Sequence, residues 1–326
     1  MEREIDRPAE FERHRSRLFG IAYRMLGSVE DAKELIQEAY LRWHRADAAA
    51  VRVPEAWLVA VTTRLSIDRL RSAAVERERY VGDWLPEPIA TDEPSVADRR
   101  AEIASDLSMA FLVLLERLAP EERAAFLLRE VFDADYGEIA GVLGKSEPAT
   151  RQMVHRARSR VRQDRARFPV ALEAKQRLVE RFVAAMESSD RDALLAIVGE
   201  DATWTSDGGG LVPATRNVLH GAMRIVRLVL GLERKAGGRL RHEVVWLNGE
   251  PAIASYVENR LVFTTSVETD GERLVAFFRV LNPEKLRNVV IGDGERRVGG
   301  VPETGRARLF DAQRSPPDSR VSGISS

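Results

Sequence analysis

The chain has 326 residues, and its 50 Lys and Arg nearly balance its 51 Asp and Glu, which gives a formal net charge of −1 at pH 7. This length exceeds one ordinary domain, so we expect two or three. The absence of cysteine excludes disulfides, cysteine-bound zinc and thiol chemistry. No stretch approaches the ~18 apolar residues of a membrane helix, and the charged N-terminus has no signal-peptide core. We therefore expect a cytoplasmic protein that does not engage a membrane.

The first domain, residues 8–72, is predicted to be all-helical. Apolar residues recur at helical spacing up to Leu26, and Gly27 ends that helix. Ser28 then precedes Asp31 by three residues, which is the spacing of a capping box and predicts the start of a second helix.

Polar side chains line one side of two helices in the first domain. The second helix reads DAKELIQEAYLRW, and its inward side carries Leu35 and Trp43. A third helix reads AWLVAVTTRLSIDRLRSA, and its outward side carries four charged residues: Arg64, Asp68, Arg69 and Arg71. Taken alone, each polar side is the ordinary solvated side of an amphipathic helix.

The linker, residues 73–106, differs from the segments around it in composition. It contains nine acids against four basic residues, together with three prolines. Proline disfavours regular structure, so the composition indicates a soluble tether. An acidic segment that imitates nucleic acid is the alternative. The apolar pair Trp84-Leu85 is expected to dock on a folded part of the chain.

The helix-turn-helix domain, residues 107–167, is predicted to begin with two amphipathic helices. They read LSMAFLVLLERLAP and EERAAFLLREVF and are separated at Pro120. Arg123 and Arg129 are expected to lie exposed on the second of these helices.

A short helix, a tight turn and a longer basic helix follow in this domain. Tyr136 to Leu143 forms the short helix, Gly144 ends it, and Ser146 caps the long one. Eight Lys and Arg face two acids between residues 145 and 167, a local net charge of +6. This pattern is typical of a DNA-binding helix-turn-helix, although an arginine-rich solvated helix is the alternative. The polar residues on and beside its outward side are candidates for DNA contacts: Arg151, Gln152, His155, Arg156 and Arg158.

Three motifs in this order resemble those of the extracytoplasmic-function (group IV) sigma factors of bacterial RNA polymerase. The second helix resembles their polymerase-binding helix, and the third helix resembles the −10-element helix of sigma domain 2. The helix-turn-helix resembles sigma domain 4, which reads the −35 element. The resemblance covers residues 8–165.

This resemblance implies two partners, core RNA polymerase and promoter DNA. The clamp helices of the largest polymerase subunit would dock on Asp31, Leu35, Gln37, Glu38 and Trp43. The loop Asp47–Pro54 would take a flipped −10 base. The melted −10 strand would lie along Arg64, Asp68, Arg69 and Arg71, although most members have Asn where this chain has Arg64. Arg123 and Arg129 are candidates for DNA phosphates or the polymerase flap.

Base contacts in the −35 major groove are predicted for Gln152, His155 and Arg156. Arg151 and Arg158, on the flank of the same helix, are predicted to contact phosphates.

A third domain, residues 168–286, is predicted to place helices before an antiparallel sheet. Its helices are expected over residues 172–186, 190–198 and 221–232. Four alternating runs follow, HEVVWLN, AIASYVEN, LVFTTSVET and RLVAFFRVL, with hairpin turns at Asn248-Gly249 and Asp270-Gly271. This element order resembles the cone-shaped SnoaL/ketosteroid-isomerase-like fold. The fold class is therefore multidomain, with two all-α domains and one α+β domain.

Three short stretches, WLPEP, DGGG and NPEKL, resemble signatures of the sigma subgroup that carries a SnoaL-like C-terminal domain. In that subgroup the extension takes the place of a separate anti-sigma factor. The resemblance implies an interdomain regulatory contact made by Trp84, Pro86, Asp207, Gly208, Gly209, Asn282 and Pro283. Residues 287–326 are expected to form a flexible tail that tunes activity.

We therefore expect a sigma factor regulated from within its own chain, with no cofactor, no metal and no enzymatic activity. One alternative is a one-component helix-turn-helix regulator, independent of polymerase, whose third domain holds a small ligand in its cavity. The other is an isomerase or hydrolase tethered to DNA. Its candidate residues are Asp201, Trp204, Asp207, His220, His242 and Glu258.

Overall fold

The computed structural model describes residues 6–47, 51–93, 107–164 and 170–291. Part of the Asp47–Pro54 loop, residues 94–106 of the linker and the tail beyond residue 291 lie outside the described residues. None of the helices in the described ranges is both long enough and apolar enough to cross a membrane.

Among its described residues, the first domain contains three helices: α1 (Arg7–Leu26), α2 (Val29–Arg45) and α3 (Pro54–Glu78). Gly27 ends α1 in the left-handed conformation, at φ 66°. The Ser28 hydroxyl accepts the backbone N–H of Asp31 at 3.2 Å, as the capping pattern predicts. Helix α3 continues past the predicted boundary at residue 72 into the linker, whose first proline is Pro86.

The described part of the helix-turn-helix domain contains four helices: α4 (Met109–Leu115), α5 (Pro120–Glu130), α6 (Tyr136–Leu143) and α7 (Glu147–Asp164). Gly144 ends α6 at φ 64°, a conformation that glycine adopts without steric cost. The Ser146 hydroxyl accepts the N–H of Ala149 at 3.4 Å at the start of α7. The predicted short helix, turn and long helix are confirmed.

The first domain and the helix-turn-helix domain share one apolar core. Helices α1 and α3 pack against α5, and α3 also packs against α6. Buried side chains from both domains meet there: Leu18, Leu58, Leu65, Phe111, Leu112, Phe126, Leu127 and Ile139. The two domains therefore form one helical body, in an arrangement that we call the closed arrangement.

In its described residues, the third domain contains four helices and six strands. The helices are α8 (Leu172–Glu187), α9 (Arg191–Ile197), α10 (Ala222–Ala236) and α11 (Pro283–Leu286). The strands are β1 (Val198–Asp207), β2 (Leu219–His220), β3 (Leu240–Leu247), β4 (Glu250–Val257), β5 (Arg260–Thr269) and β6 (Leu274–Val280). They form one sheet in the order β2-β1-β6-β5-β4-β3. Strands β3 to β6 form the predicted antiparallel meander, whereas β1 lies parallel to β6.

Apolar clusters cover both faces of this sheet. On the helix-covered face, Trp204 and Phe277 pack against Phe182 of α8. On the linker-covered face, strand residues pack against Leu85 of the linker and Met109 of α4. The predicted fold class, two all-α domains followed by an α+β domain, is confirmed.

Residues 80–91 of the linker, called here the docked segment, lie against both the first and the third domain. Leu85, Pro86 and Glu87 are buried, and Ala90 forms a β-bridge with Leu247 of β3. The prediction that Trp84-Leu85 docks is confirmed. The wider prediction of a soluble tether is wrong for this segment, because its apolar and hydrogen-bonding groups find partners on both sides.

The third domain also extends beyond its predicted end at residue 286. Val289 is buried in the apolar cluster on the linker-covered face, and Ile291 packs against that cluster. The start of the predicted tail is therefore part of the folded domain.

Candidate functional site

The outward side of α7 carries the residues predicted to read DNA. Gln152, His155 and Arg156 are exposed, whereas Val154 and Ala157 are buried. The orientation predicted from the helical period is therefore confirmed.

Acidic neighbours hold the two flanking arginines of α7. Arg151 pairs with Glu147 at 2.9 Å, and its guanidinium carbon lies 4.6 Å from the centre of the Tyr136 ring. Arg158 pairs with Glu130 of α5 at 2.5 Å. These contacts fix both guanidiniums beside the exposed side of α7.

Two charged residues on the outward side of α3 contact the helix-turn-helix domain. Arg64 donates to the carbonyls of Val142 and Gly141, each at 2.9 Å. Both carbonyls lie in the last turn of α6, where helix carbonyls lack intrahelical partners. Arg71 pairs with Glu121 of α5 at 2.7 Å. In the closed arrangement, two of the four predicted −10 residues are thus bound to the helix-turn-helix domain.

The other two predicted −10 residues have different surroundings. Asp68 is exposed, and Arg69 pairs with Asp31 of α2 at 2.5 Å and with Glu34 at 3.2 Å. Because Asp31 is also a predicted polymerase contact, this ion pair joins the two predicted surfaces.

Two of the predicted polymerase-binding residues are core residues, which corrects their assignment. Leu35 and Trp43 are 5% and 2% exposed, and the Trp43 indole donates to a carbonyl at the start of α1 at 2.9 Å. Because their side chains hold α2 in the first domain, they cannot contact a partner in this arrangement. Gln37 and Glu38 are exposed and Asp31 is partly exposed, so these three remain at the surface.

Arg123 was predicted to be exposed, and this prediction is wrong. Only 2% of its surface is exposed, and it donates to the Met25 carbonyl at 2.6 Å and to Glu116 at 2.7 Å. Glu116 also pairs with Arg77 of α3. A buried guanidinium is tolerated here because a carboxylate and a carbonyl both accept from it. Arg129 is half-buried and donates to a loop carbonyl at 2.9 Å.

The predicted regulatory residues converge on Asp207, at the end of β1. Its buried carboxylate accepts from the Tyr80 hydroxyl at 2.6 Å and the Gly209 N–H at 3.0 Å. It also accepts from the Leu85 N–H at 2.9 Å and the Lys285 ammonium at 2.7 Å. We call these contacts the Asp207 network. Because Tyr80 and Leu85 belong to the docked segment, the network joins the linker to the third domain.

Two cations approach the ring of Trp84 in the docked segment. The Lys285 ammonium lies 4.0 Å from the ring centre, and the Arg77 guanidinium carbon lies 4.1 Å from it. Lys285 also donates to the Leu85 carbonyl at 2.5 Å. Burial lowers the pKa of Lys285, an effect that the charge of Asp207 opposes. Trp84 therefore connects a cation of the third domain with a cation of α3.

Glycines beside Asp207 make room for these contacts. A Cβ atom at Gly208 would lie 2.3 Å from the carbonyl oxygen of Val212, and one at Gly209 would lie 2.4 Å from the side-chain nitrogen of Asn282. Gly209 also has φ +62°. Glycine alone fits both positions without displacing a neighbour.

Asn282 and Pro283 begin the short helix that presents Lys285. The Asn282 side chain accepts the N–H of Glu284 at 3.0 Å and donates to the Tyr80 hydroxyl at 3.0 Å. Pro283 occupies the first helical position, where no N–H is needed. The NPEKL stretch thus sets the direction of Lys285 and supports Tyr80.

Glu87 attaches the docked segment to the start of α2. Its carboxylate accepts from the Ser28 hydroxyl and from the Val29 N–H, both at 2.9 Å, and its own N–H donates to the Gly27 carbonyl at 2.8 Å. Burial raises the pKa of Glu87, although the two donors act in the opposite direction. The docked segment is therefore held by the first domain as well as by the third.

A cleft of about 390 Å³ opens where these three parts meet. Several of its lining residues are charged: Glu30, Asp31, Arg77, Glu87, Lys285 and Arg287. In the part of the chain that the structure describes, no group of three or more acids or histidines could hold a metal ion.

Four residues of this region were not singled out from the sequence: Arg77, Tyr80, Glu87 and Lys285. Glu87 lies inside WLPEP and Lys285 inside NPEKL, so these two stretches carried the signal. Arg77 and Tyr80 carried none, because their roles depend on residues distant in sequence.

Comparisons with known proteins match both helical domains. The family model for Sigma-70 region 2 matches residues 11–75, and that for Sigma-70 region 4 matches residues 108–161. The ECF RNA polymerase sigma factor SigJ of Mycobacterium tuberculosis is 36% identical over 312 residues, which cover 92% of this chain and 98% of that protein. The chain belongs to the extracytoplasmic-function sigma factor family.

Further matches extend through the third domain of this sigma factor. The crystal structure of M. tuberculosis SigJ superposes with a TM-score of 0.69 at 34% identity, covering 86% of this chain and 98% of that one. A probable ECF sigma factor of the same organism, SigI, is 28% identical over 292 residues, which cover 85% of this chain and 94% of that protein. The sigma factor therefore combines the two helical sigma domains with a SnoaL-like third domain.

Proposed function

We propose that this sigma factor binds core RNA polymerase in the cytoplasm and reads −10 and −35 promoter elements, and that its third domain regulates this by stabilising the closed arrangement. The observation that carries the proposal is the pair of hydrogen bonds from Arg64 to the carbonyls of Gly141 and Val142. A −10 reader bound to the helix-turn-helix domain is not free to bind DNA.

The spacing of the two promoter elements supports this proposal. Positions −10 and −35 are separated by about 85 Å of DNA at about 3.4 Å per base pair. The chain from Gly141 to Gln152 spans at most about 40 Å even when fully extended. Since Arg64 touches Gly141, the two readers are too close together to reach both elements. The closed arrangement has to open before both are read.

The third domain is placed to oppose that opening. The Asp207 network fixes the docked segment, and Arg77 links that segment through Glu116 to the helix-turn-helix domain. Met109 of α4 is also buried in the apolar cluster of the linker-covered face. Separating the helical domains would therefore disturb contacts that the third domain makes to each.

The proposed contacts keep the assignments made from the family, apart from the buried Leu35, Trp43 and Arg123. Gln152, His155 and Arg156 contact −35 bases, and Arg151 and Arg158 contact phosphates. Arg64, Asp68, Arg69 and Arg71 line the −10 strand after opening. Asp31, Gln37 and Glu38 face the clamp helices, and Arg129 faces DNA phosphates or the flap. The third domain is regulatory rather than catalytic.

A chemical cross-link tests the closed arrangement, because the chain has no cysteine of its own. Arg17 of α1 donates to the carbonyl of Phe132 at 3.3 Å, and Asp133 beside it is exposed. The double variant Arg17→Cys, Asp133→Cys would be joined by a short bis-maleimide and assayed for transcription with core polymerase. We expect the joined protein to lose transcription from a matched promoter.

Each single variant, treated with the same reagent, is the matched control and should keep full transcription. If the joined protein transcribes as well as the controls, the closed arrangement is not an obstacle and the proposal is wrong. Binding of the full chain to core polymerase is measured in parallel. A one-component regulator would bind its DNA site without polymerase, and that result would replace the sigma assignment.

A further inference from the structure

Arg279 of β6 is a buried arginine on the helix-covered face of the sheet. It lies two residues after Phe277, so both side chains project to the same face. Only 5% of its surface is exposed. Its Nε donates to the Thr265 hydroxyl at 3.2 Å. The side chain therefore reaches into the space between the sheet and the helices that cover it.

Aromatic rings from the two neighbouring strands flank this guanidinium. Its carbon lies 4.4 Å from the ring centre of Trp204 on β1 and 4.0 Å from that of Phe263 on β5. The guanidinium is planar and donates hydrogen bonds only in its plane. With Nε bound to Thr265, the two terminal nitrogens remain to bind an acceptor.

Among the residues that the structure describes, no carboxylate forms an ion pair with Arg279, and its terminal nitrogens have no hydrogen-bond acceptor. Two other buried cations of the third domain are paired. Lys175 lies 2.7 Å from Glu250 and 3.2 Å from Glu268, and Lys285 lies 2.7 Å from Asp207. A buried charge without a partner is unfavourable, so the difference requires an explanation.

The nearby acid Glu233 of α10 does not supply the missing partner. Its carboxylate is hydrogen-bonded at 3.0 Å to His242, whose other ring nitrogen is 2.8 Å from the Ser255 hydroxyl. Burial lowers the pKa of Arg279 to about 9. The negative charge of Glu233 acts in the opposite direction by electrostatic attraction, without a hydrogen bond to Arg279. The guanidinium therefore keeps its charge at pH 7, and its edge is free for an anion.

We propose that the third domain binds a small organic carboxylate at Arg279. The two terminal nitrogens match the two oxygens of a carboxylate, which is the bidentate geometry that arginine favours. Trp204 and Phe263 flank the guanidinium, so the surroundings of an acid bound there are apolar. An aromatic or aliphatic monocarboxylate fits this combination, whereas an inorganic anion would leave the rings unused.

This binding site goes beyond the proposed regulation, because an acid can bind whether or not the closed arrangement opens. The two are nevertheless adjacent in the fold. Arg279 pairs across the sheet with Ser206, the residue before Asp207. An acid bound at Arg279 thus lies one residue from the Asp207 network on β1.

Isothermal titration of the full chain with benzoate, indole-3-acetate and hexanoate tests the proposal. We expect at least one acid to bind with one-to-one stoichiometry at Kd of about 1 mM or tighter. The neutral amide of that acid should bind about tenfold more weakly, because it cannot form the charge-assisted pair. The Arg279→Gln variant should lose the binding, and the matched variant Arg241→Gln, in an exposed arginine of β3, should retain it.

Three results would overturn the proposal: no saturable binding of any of the three acids, equal binding of acid and amide, or unchanged binding by a folded Arg279→Gln. Equal affinity for inorganic phosphate would overturn the organic character of the ligand. If Arg279→Gln does not fold, the comparison of acid with amide on the unaltered chain still decides. None of these measurements depends on transcription, so a failed cross-linking test would leave them intact.

Discussion

Asp207 and Lys285 form a buried ion pair, with 2.7 Å between the carboxylate oxygen and the ammonium nitrogen. Both side chains belong to the third domain, yet each also binds Leu85 of the linker, one through its N–H and the other through its carbonyl. The pair therefore binds the backbone of the docked segment through both the N–H and the carbonyl of one residue. It is one of the contacts that hold the linker on the third domain.

Replacing Asp207 should weaken the attachment of the docked segment to the third domain. In Asp207→Asn, the buried Lys285 loses its counter-charge, and breaking a buried ion pair in this way typically costs about 3–5 kcal/mol. We expect a lower melting temperature and faster proteolysis within the docked segment. Asp201→Asn, an exposed acid on the same strand, is the control and should change neither. An unaltered melting temperature in Asp207→Asn would contradict the role given to the pair.

Gly209 should tolerate no side chain. Gly209→Ala places a methyl group 2.4 Å from Asn282 and forces a positive φ on alanine, so we expect a loss of about 1–3 kcal/mol. Gly231→Ala is a matched glycine substitution in α10, where a Cβ would meet nothing within 4 Å. The free energy of unfolding of that variant should increase by about 1 kcal/mol, because alanine has a higher helix propensity than glycine. Urea unfolding of both proteins measures the contrast, and an equal response at the two sites would refute it.

Glu87 should make a pH-dependent contribution to stability. Burial raises its pKa above the ordinary 4.5, so the folded chain holds this proton more tightly than the unfolded chain does. As the pH rises through 4.5 and then through the raised value, the stability contributed by Glu87 falls and afterwards levels off. The free energy of unfolding of the unaltered chain, minus that of Glu87→Gln, should therefore decrease between about pH 4 and pH 7.

A difference for Glu87 that grows with pH would mean that the Ser28 and Val29 donors outweigh burial.

Arg156 should contribute to promoter selectivity and Arg160 to affinity alone. Both side chains are 53% exposed and both approach Glu122, so they are matched in surroundings and in charge. Losing a base contact costs about 1–3 kcal/mol of binding free energy at one base pair. Arg156→Ala should therefore reduce the difference in affinity between a promoter with the matched −35 element and one with an altered −35 element. Arg160→Ala should weaken binding of both DNAs equally. Holoenzyme binding to the two promoters measures this, and unchanged selectivity in Arg156→Ala would disprove the base assignment.

Local patterns were sufficient to predict the helix-turn-helix from the sequence. The glycine turn at Gly144, the cap at Ser146 and the buried Val154 and Ala157 each depend on residues within one or two helical turns. Turn chemistry and helical period act over that range, so the sequence alone determines them.

The features that could not be predicted from the sequence depend on contacts between residues that are distant in the chain. Arg123 is buried because the Met25 carbonyl lies beside it, and the docked segment is ordered because two domains cover it. Arg279 did carry a local signal, since it shares the face of Phe277 in an alternating strand. Nothing in the sequence says that this position lacks a carboxylate partner.

The apolar core shared by the two helical domains makes opening of the closed arrangement depend on how much core polymerase is available. Separating these domains exposes apolar surface to water, which is unfavourable. Another protein surface would have to bury it. If polymerase is that surface, the free energy for opening comes from the enzyme rather than from DNA. The number of unoccupied polymerase molecules, more than the affinity of any promoter, would then set how often this chain begins a transcript.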